Sequence, residues 1–269
     1  MNIGRTFLKA TAAVFLGAGQ VSANQTVTCL IEPYEIINLS PPVAGVLEEV
    51  PVDRGDIVAA GQILARLDTS LDDLRVEMAE ARADSPYTVD AREARFTFLS
   101  ERAERILDLA NRAVLPRTEY EEAAAEAEAA RLELEAARFD REMAAIDVRE
   151  ATAIRDQKIL RSPVNGIVLE RRASVGEYHD GAEPILTLVR LDPLLVESFI
   201  PIALFSEISV GDVVFVEPEE PVGGRYEATI SVIDRVFDAG TGTVGVRLEL
   251  PNPDLSMPAG LRCRLVVTE

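Results

Sequence analysis

The segment Ser40-Pro-Pro-Val-Ala-Gly-Val-Leu47 decides the fold, because the chain repeats it as Ser162-Pro-Val-Asn-Gly-Ile-Val-Leu169. In both copies a second glycine follows ten residues after the first, and an acidic residue comes directly after it. A third glycine then precedes a short apolar segment. Such patterns are typical of strands joined by tight turns, in which glycine supplies backbone freedom. The repeat predicts a small β-sandwich of two similar halves. Its structural turn glycines are Gly45, Gly55, Gly61, Gly166, Gly176 and Gly181.

Between the two copies, residues 71–158 have the composition of helices, with no glycine, two prolines and many Ala, Glu, Arg and Leu residues. Apolar residues spaced alternately by three and four positions predict two helical arms that face each other. In the first arm these residues are Phe96, Leu99, Ala103, Ile106, Ala110 and Ala113. In the second arm they are Tyr120, Ala123, Ala127, Ala130, Leu134, Ala137, Ala144, Val148 and Ala151, with Arg141 as the one interruption.

The connection between the two arms lies at about residues 111–117 and contains Pro116. A connection this short favours a single antiparallel hairpin over the alternative, two separate helices of a bundle. About 40 residues in each arm, at a rise of 1.5 Å per residue, predict a rod of roughly 60 Å.

The first arm contains Pro86, and the apolar pattern changes phase around it. The stripe before the proline consists of Leu71, Leu74, Met78 and Ala81. This stripe is out of phase with the one that resumes at Val89. We therefore expect a break or kink near residues 84–87.

The N-terminus has the order of a secretory signal peptide. Arg5 and Lys9 precede a short apolar run at residues 10–19, and the small-residue site Val21-Ser22-Ala23 follows. We expect cleavage there and an exported mature chain that starts near Asn24. The alternative is a short membrane anchor, although the run is too short to span a bilayer. No cysteine follows the run in a lipoprotein arrangement, so we expect no lipid anchor.

Composition excludes several classes of function. With 269 residues and 48% hydrophobic content, the chain can form two or three small globular domains. Its formal net charge of −19 disfavours any mechanism that neutralises phosphates, so we expect no nucleic-acid partner.

The two cysteines, Cys29 and Cys263, lie in strand-like segments of a chain that we expect to be exported. They form a disulfide candidate if the terminal strands pair in one barrel. The alternative is two buried free thiols that pack as small hydrophobic residues. Together with the single histidine, His179, they are too few and too distant for a metal site.

No catalytic or cofactor site is expected. A lipoyl or biotin carrier needs a modifiable lysine in the central turn, but the only lysines are Lys9 and Lys158, and Lys158 ends the second arm. His179 has no serine or cysteine in an activating motif nearby, and we interpret it as an exposed turn histidine.

The repeat and its helical insertion resemble the periplasmic adaptor family, also called membrane-fusion or HlyD-like proteins, of RND-type efflux pumps and type I secretion systems. In that family a coiled-coil hairpin splits a lipoyl-like domain, and a small β-barrel follows. The segment Asp192–Pro201 is similar to the start of the barrel. The segments Phe237–Pro253 and Pro258–Leu261 are similar to a motif within it.

The resemblance implies a mixed β and α fold, a split lipoyl-like β-sandwich with an inserted antiparallel α-helical hairpin, followed by a small β-barrel. The implied domains are a signal peptide (1–23), an N-terminal barrel strand (24–39), a first lipoyl half (40–69), the hairpin (70–159, tip about 110–117), a second lipoyl half (160–190) and the barrel (191–269).

At the hairpin tip, the family's channel-contacting pattern is an arginine, a leucine four residues later and a serine seven beyond that. Arg105 and Leu109 occupy the first two positions, and Pro116 stands in place of the serine. The resemblance therefore implies a channel contact by Arg105 and Leu109, while the role of the serine is lost. The alternative is that both are ordinary residues of a helix surface.

The implied function is that of an adaptor without enzymatic activity or cofactor. It bridges an inner-membrane RND-type permease and a TolC-like outer-membrane channel, and it self-associates into a ring. A different hypothesis is a periplasmic coiled-coil scaffold that tethers envelope components without transport.

Overall fold

The computed structural model describes residues 25–267, which divide into two compact units. One unit contains residues 33–191, and the other contains the described residues up to Glu32 together with those from Asp192 onward. The expected signal peptide, residues 1–23, lies outside the described residues. Within residues 25–267, no helix is both long and apolar enough to cross a membrane.

The unit of residues 33–191 contains a β-sandwich whose strands come from both copies of the repeat. One sheet has the order β5-β4-β2-β7, and in the other β6 lies between β3 and β8. The strands are β2 (Gly45–Glu49), β3 (Ile57–Val58), β4 (Ile63–Leu67), β5 (Ile159–Arg161), β6 (Gly166–Arg171), β7 (Tyr178–His179) and β8 (Leu186–Pro201). Their shared core contains Leu47, Leu64, Leu67, Ile185, Leu186 and Leu188, all at most 1% exposed.

Equivalent backbone hydrogen bonds run from each half of the sandwich to the other half. The Gly55 N–H donates to the Val168 carbonyl at 2.9 Å, and the equivalent Gly176 N–H donates to the Leu47 carbonyl at 2.7 Å. Likewise β2 pairs with β7 of the other half, and β6 pairs with β3. Each half therefore completes its sheet with a strand from the other half, and the two copies of the repeat form one β-sandwich, as predicted.

The acidic residue after the second glycine has the same role in both halves. Asp56 Oδ2 accepts a hydrogen bond from the Asp53 N–H at 2.8 Å, and Glu177 Oε2 accepts one from the Ser174 N–H at 2.8 Å. Between donor and acceptor the chain turns through a glycine with positive φ, 95° in one copy and 87° in the other. The repeated pair of glycine and acidic residue thus forms a turn in which the acidic side chain accepts a hydrogen bond from the backbone three residues earlier.

The helical hairpin consists of three helices, α1 (Ser70–Ala83), α2 (Tyr87–Asn111) and α3 (Arg117–Asp156). Both α1 and α2 pack against α3, and the predicted break separates them at residues 84–86. The second-arm stripe is the buried face of α3, with Ala123, Ala127, Ala130, Leu134 and Ala137 at most 9% exposed. The first-arm stripe packs against it from Phe96 to Ile106.

The stripe predicted before the break does not face α3. Leu71, Leu74 and Met78 are more than half exposed, whereas Val76 and Asp72 are buried. The break lets α1 rotate relative to α2, and α1 turns the face with Asp72 toward α3. The expectation that Ala113 continues the first-arm stripe is wrong, because α2 ends at Asn111.

The second unit is a closed β-barrel of six strands in the order β1-β12-β9-β10-β11-β8, with β8 paired to β1. Its further strands are β1 (Gln25–Leu39), β9 (Val213–Pro218), β10 (Tyr226–Ile233), β11 (Thr243–Leu250) and β12 (Leu261–Val267), and a short 3₁₀ helix, Ile202–Leu204, follows β8. Alternate residues point inward, so that Ile31, Val216, Ile230 and Leu248 are at most 2% exposed.

The terminal strands of the barrel bring the two cysteines together. In the antiparallel register of β1 and β12, Cys29 lies directly opposite Cys263, with their Cα atoms 4.8 Å apart. The structure joins them in a disulfide, and both side chains are buried. The bond connects residues that are 234 positions apart in sequence.

Candidate functional site

The candidate site is the hairpin tip, where α2 ends in a left-handed turn at Ala113 (φ 57°). The Ala113 N–H donates to the Ala110 carbonyl at 3.0 Å, and the Val114 N–H donates to the Leu109 carbonyl at 3.0 Å. These two bonds are the Schellman arrangement, which satisfies the last carbonyls of a helix. Glycine usually occupies the left-handed position of such a turn. Because this position holds an alanine, the sequence did not predict the turn.

Pro116 lies directly before α3 in an extended conformation (φ −61°, ψ 146°). Its carbonyl accepts a hydrogen bond from the Glu119 N–H at 3.2 Å. No side chain caps the start of α3, since proline lacks the hydroxyl that a serine would offer. Pro116 therefore directs the chain into α3 but provides no polar side-chain contact at the tip.

Arg105 and Leu109 lie one helical turn apart on α2, and both are exposed. Arg105 Nη1 is 3.6 Å from Glu101 Oε2, and both side chains are more than 60% exposed. An ion pair this exposed contributes little stability, so the guanidinium group is available to a partner. Leu109 and the exposed Val114 add apolar surface beside it. The tip can thus offer a forked hydrogen-bond donor next to an apolar contact.

Ion pairs between α2 and α3 stiffen the hairpin behind this tip. Glu133 of α3 accepts hydrogen bonds from Arg92 and Arg95 of α2, at 2.7 and 2.8 Å. Arg102 and Glu126 form a further cross-arm pair at 2.9 Å. Because these pairs are partly exposed, each is worth roughly 0.2–1 kcal/mol. Together with the close packing of alanines, they hold the arms in one register.

An ion pair with a buried carboxylate closes the base of the hairpin, and the sequence did not predict it. Lys158 Nζ lies 2.6 Å from Asp72 Oδ2 and donates to the Asp68 carbonyl at 2.9 Å. The hydrogen bond from Lys158 lowers the pKa of Asp72 despite the opposing effect of burial, and Arg75 lowers the pKa further. Lys158 thus ties the start of α1 to the end of α3. Its only sequence signal was its rarity, since Lys9 is the sole other lysine.

The interruption of the second-arm stripe at Arg141 also has a structural cause. Arg141 lies level with the break between α1 and α2, where a cleft of about 430 Å³ opens on the inner face of α3. The lining of this cleft includes Arg82, Ser85, Thr88 and Asp140. With no helix packed there, an apolar residue at this position would have been exposed to water.

The expectations about three residues were wrong. His179 is not an exposed turn residue: it is 9% exposed and lies in β7, where its Nδ1 accepts the Gly181 N–H at 3.0 Å. Gly45 and Gly166 lie at the starts of β2 and β6 and not in turns. Gly166 is required by close approach, because a Cβ there would lie 2.6 Å from the Val189 carbonyl oxygen.

The other four glycines, Gly55, Gly61, Gly176 and Gly181, have positive φ, which other residues rarely adopt. Among residues 25–267, no group of three or more histidine, cysteine, aspartate or glutamate side chains could hold a metal ion.

Comparisons with known proteins match this architecture. A family model, "CzcB-like, barrel-sandwich hybrid domain", matches residues 35–189. The multidrug resistance protein MdtE of Escherichia coli K12 is 26% identical over 271 aligned positions, which cover 95% of this chain and 67% of MdtE. The cobalt-zinc-cadmium resistance protein CzcB of Cupriavidus metallidurans is 25% identical over 226 positions, covering 82% of this chain and 40% of CzcB. The crystal structure of MacA from Actinobacillus actinomycetemcomitans aligns with a TM-score of 0.71 at 18% identity. The alignment covers 91% of this chain and 78% of the MacA chain, and the two proteins share a fold.

Proposed function

Because the chain belongs to the family of CzcB-like barrel-sandwich hybrid domains and is homologous to adaptor proteins of efflux pumps, we propose that it is the periplasmic adaptor subunit of an RND-type tripartite system. In this role it bridges an inner-membrane RND-type permease and a TolC-like outer-membrane channel. It carries out no chemical step and holds no cofactor. Its contribution is geometric, since it connects two membrane proteins and shapes the conduit between them.

The observation that carries the proposal is a stiff hairpin inserted between two halves of one interlocked sandwich. The 40 residues of α3 form an uninterrupted helix, which spans about 60 Å at 1.5 Å per residue. At its base, Lys158 and Asp72 tie the two arms together beside the sandwich. A rod fixed in this way can present its tip far from the sandwich.

The cellular setting of the proposal is the periplasm, reached through a cleaved signal peptide at residues 1–23, without lipid attachment. The disulfide between Cys29 and Cys263 is consistent with an oxidising compartment. We also propose the domain boundaries stated above, at residues 40, 70, 160 and 191, and self-association into a ring.

Copurification with the outer-membrane channel tests the tip. We expect Arg105→Asp and Leu109→Asp each to lower the amount of copurified channel at least tenfold, because each places a carboxylate where the tip offers a cation or an apolar contact. Matched controls are Arg54→Asp and Val175→Asp, the same kinds of change at exposed positions of the sandwich. We expect these controls to copurify like the unmodified chain. Undiminished copurification by both tip variants would overturn the tip assignment.

A further inference from the structure

The outer surface of the barrel carries a groove of about 490 Å³ beside the line where β1 and β8 meet. Strands point alternate side chains to opposite faces, and on β1 the buried Cys29 lies between the exposed Thr28 and Leu30. On β8 the exposed residue is Phe199. The groove therefore lies on the face of the sheet that is turned away from the barrel core. The lining that faces outward comprises Thr28, Leu30, Glu197, Phe199 and Arg262, which all belong to the barrel unit.

Leu30 and Phe199 are the large exposed apolar side chains of this groove, at 39% and 65% exposed. Phe199 lies directly opposite Gly245 of β11 in the sheet. Because Gly245 has no side chain, the ring of Phe199 comes within 3.7 Å of the position that a Cβ would take. The ring thus packs against the backbone of the neighbouring strand, which holds this apolar side of the groove in place.

The two charged residues of the groove differ in their partners. Arg247 holds Glu197 Oε1 with its Nε at 3.1 Å and its Nη2 at 2.9 Å, so the carboxylate is already neutralised. Arg262 forms no ion pair with any other described residue. It lies directly opposite Leu30 in the register of β1 and β12, and side chains opposite each other are about 5 Å apart at their Cβ atoms. The groove therefore has one uncompensated positive charge next to an apolar side chain.

An apolar groove with a single cation fits a small anion that has an apolar body. Its volume falls within the range of roughly 300–1,000 Å³ that is typical of small-molecule sites. A carboxylate or sulfonate offers the guanidinium group of Arg262 a forked hydrogen-bond acceptor. A cationic ligand is disfavoured, because Glu197 is already paired with Arg247. A polyanion is disfavoured by the formal net charge of −19, which repels multiply charged anions.

We propose that this groove binds an amphiphilic molecule with one negative charge, such as a fatty acid. Its acidic group pairs with Arg262, and its apolar part lies between Leu30 and Phe199. The site is formed by the barrel alone. It goes beyond the adaptor role, because bridging two membrane proteins needs no small ligand.

Fluorescence titration of the purified chain with anilinonaphthalene sulfonate, an aromatic monoanion, measures this binding. We expect saturable binding at one site per chain. Laurate should displace the sulfonate, whereas dodecylamine, which has an alkyl chain of the same length and a positive charge, should not. A signal that does not saturate, or equal displacement by the amine, would overturn the proposal.

Variants of the lining locate the site. Arg262→Gln should raise the dissociation constant of the sulfonate about tenfold, because it removes a charge-assisted hydrogen bond. The matched control is Arg264→Gln, an outward-facing arginine of the same strand that lies 3.9 Å from Glu217. Phe199→Ser should also weaken binding, and its control is Val213→Ser at an exposed position of β9. Circular dichroism verifies that each variant is folded. An unchanged constant in Arg262→Gln, or an equal loss in Arg264→Gln, would contradict the site.

A second copy of the chain is the other candidate occupant of the groove. If copies covered it, they would compete with the sulfonate, and the apparent dissociation constant would rise with the chain concentration. We expect a constant that is independent of chain concentration, and a clear rise would overturn the proposal. These measurements involve neither channel nor permease. Failure of this proposal therefore leaves the adaptor role intact, and failed copurification leaves the ligand site intact.

Discussion

The strand-built parts of the molecule and its helical hairpin keep their shape by different means. In the sandwich and the barrel, backbone hydrogen bonds between distant segments fix the register, as in the reciprocal bonds of Gly55 and Gly176. In the hairpin the arms meet through side chains alone, by alanine packing and by ion pairs such as Arg102–Glu126. Backbone pairing tolerates little displacement, whereas packed helices can shift in small steps. The register of the hairpin therefore depends on its side chains, and that of the strand-built parts depends on the backbone.

This contrast predicts how strongly each part resists change. Single changes that disturb backbone registry or closure in the strand-built parts should cost the most. Changes in the hairpin should cost less, even at its base, where the buried carboxylate of Asp72 is paired with Lys158. Three predictions test this order, from the largest expected effect to the smallest.

The largest effect is expected from removal of the disulfide that closes the barrel. The double variant Cys29→Ser/Cys263→Ser should lower the free energy of unfolding by about 3–5 kcal/mol, because the bond restricts a long segment of the unfolded chain. Denaturant unfolding measures the loss, and a mass increase after reduction and alkylation of the denatured chain verifies the bond itself. A chain whose mass does not change under that treatment would contradict the disulfide.

A second test uses the internal repeat as its own control. Gly166→Ala should lower the free energy of unfolding by about 2–3 kcal/mol, because its Cβ would meet the Val189 carbonyl oxygen, which is backbone and cannot move aside. The equivalent change Gly45→Ala meets the flexible side chain of Leu67 at 3.2 Å and should cost less than about 1 kcal/mol. Equal losses in urea unfolding would show that the halves do not differ in this way.

The smallest effect is expected at the base of the hairpin. Lys158→Met should cost about 1–2 kcal/mol at neutral pH, since Asp72 stays buried and keeps only Arg75 as a partner, while Lys158→Arg should cost less. The pKa of Asp72 is lowered, so the stabilisation by Lys158 is complete above the ordinary value near 3.8 and is lost as the pH falls through the folded-state pKa.

Unfolding measured from pH 7 downward checks this sign. The stability difference between the unmodified chain and Lys158→Met should shrink below about pH 4. A difference that grows on acidification would mean that Asp72 is not the partner whose charge matters.

Much of the fold could be predicted from short-range patterns. The repeated glycines and prolines predicted the two halves of the sandwich, and the 3-4 spacing predicted the hairpin with its break. The tip residues were identified by resemblance to the family, and their role stays a prediction. The Lys158–Asp72 pair, the burial of His179 and the left-handed Ala113 could not be predicted, because each depends on neighbours that are distant in sequence or on a residue type that is unusual in its position.

The sequence by itself determined which residues share a face, where the strands turn and where the rod is inserted. Only the tertiary structure decided which face of α1 meets α3. Leu71, Leu74 and Met78 form the more apolar stripe, yet α1 turns Asp72 and Val76 inward. The physical reason is that periodicity shows which residues share one face of a helix but does not show which face packs against the neighbouring helix. The break at residues 84–86 freed that rotation, and the ion pair between Asp72 and Lys158 fixes it.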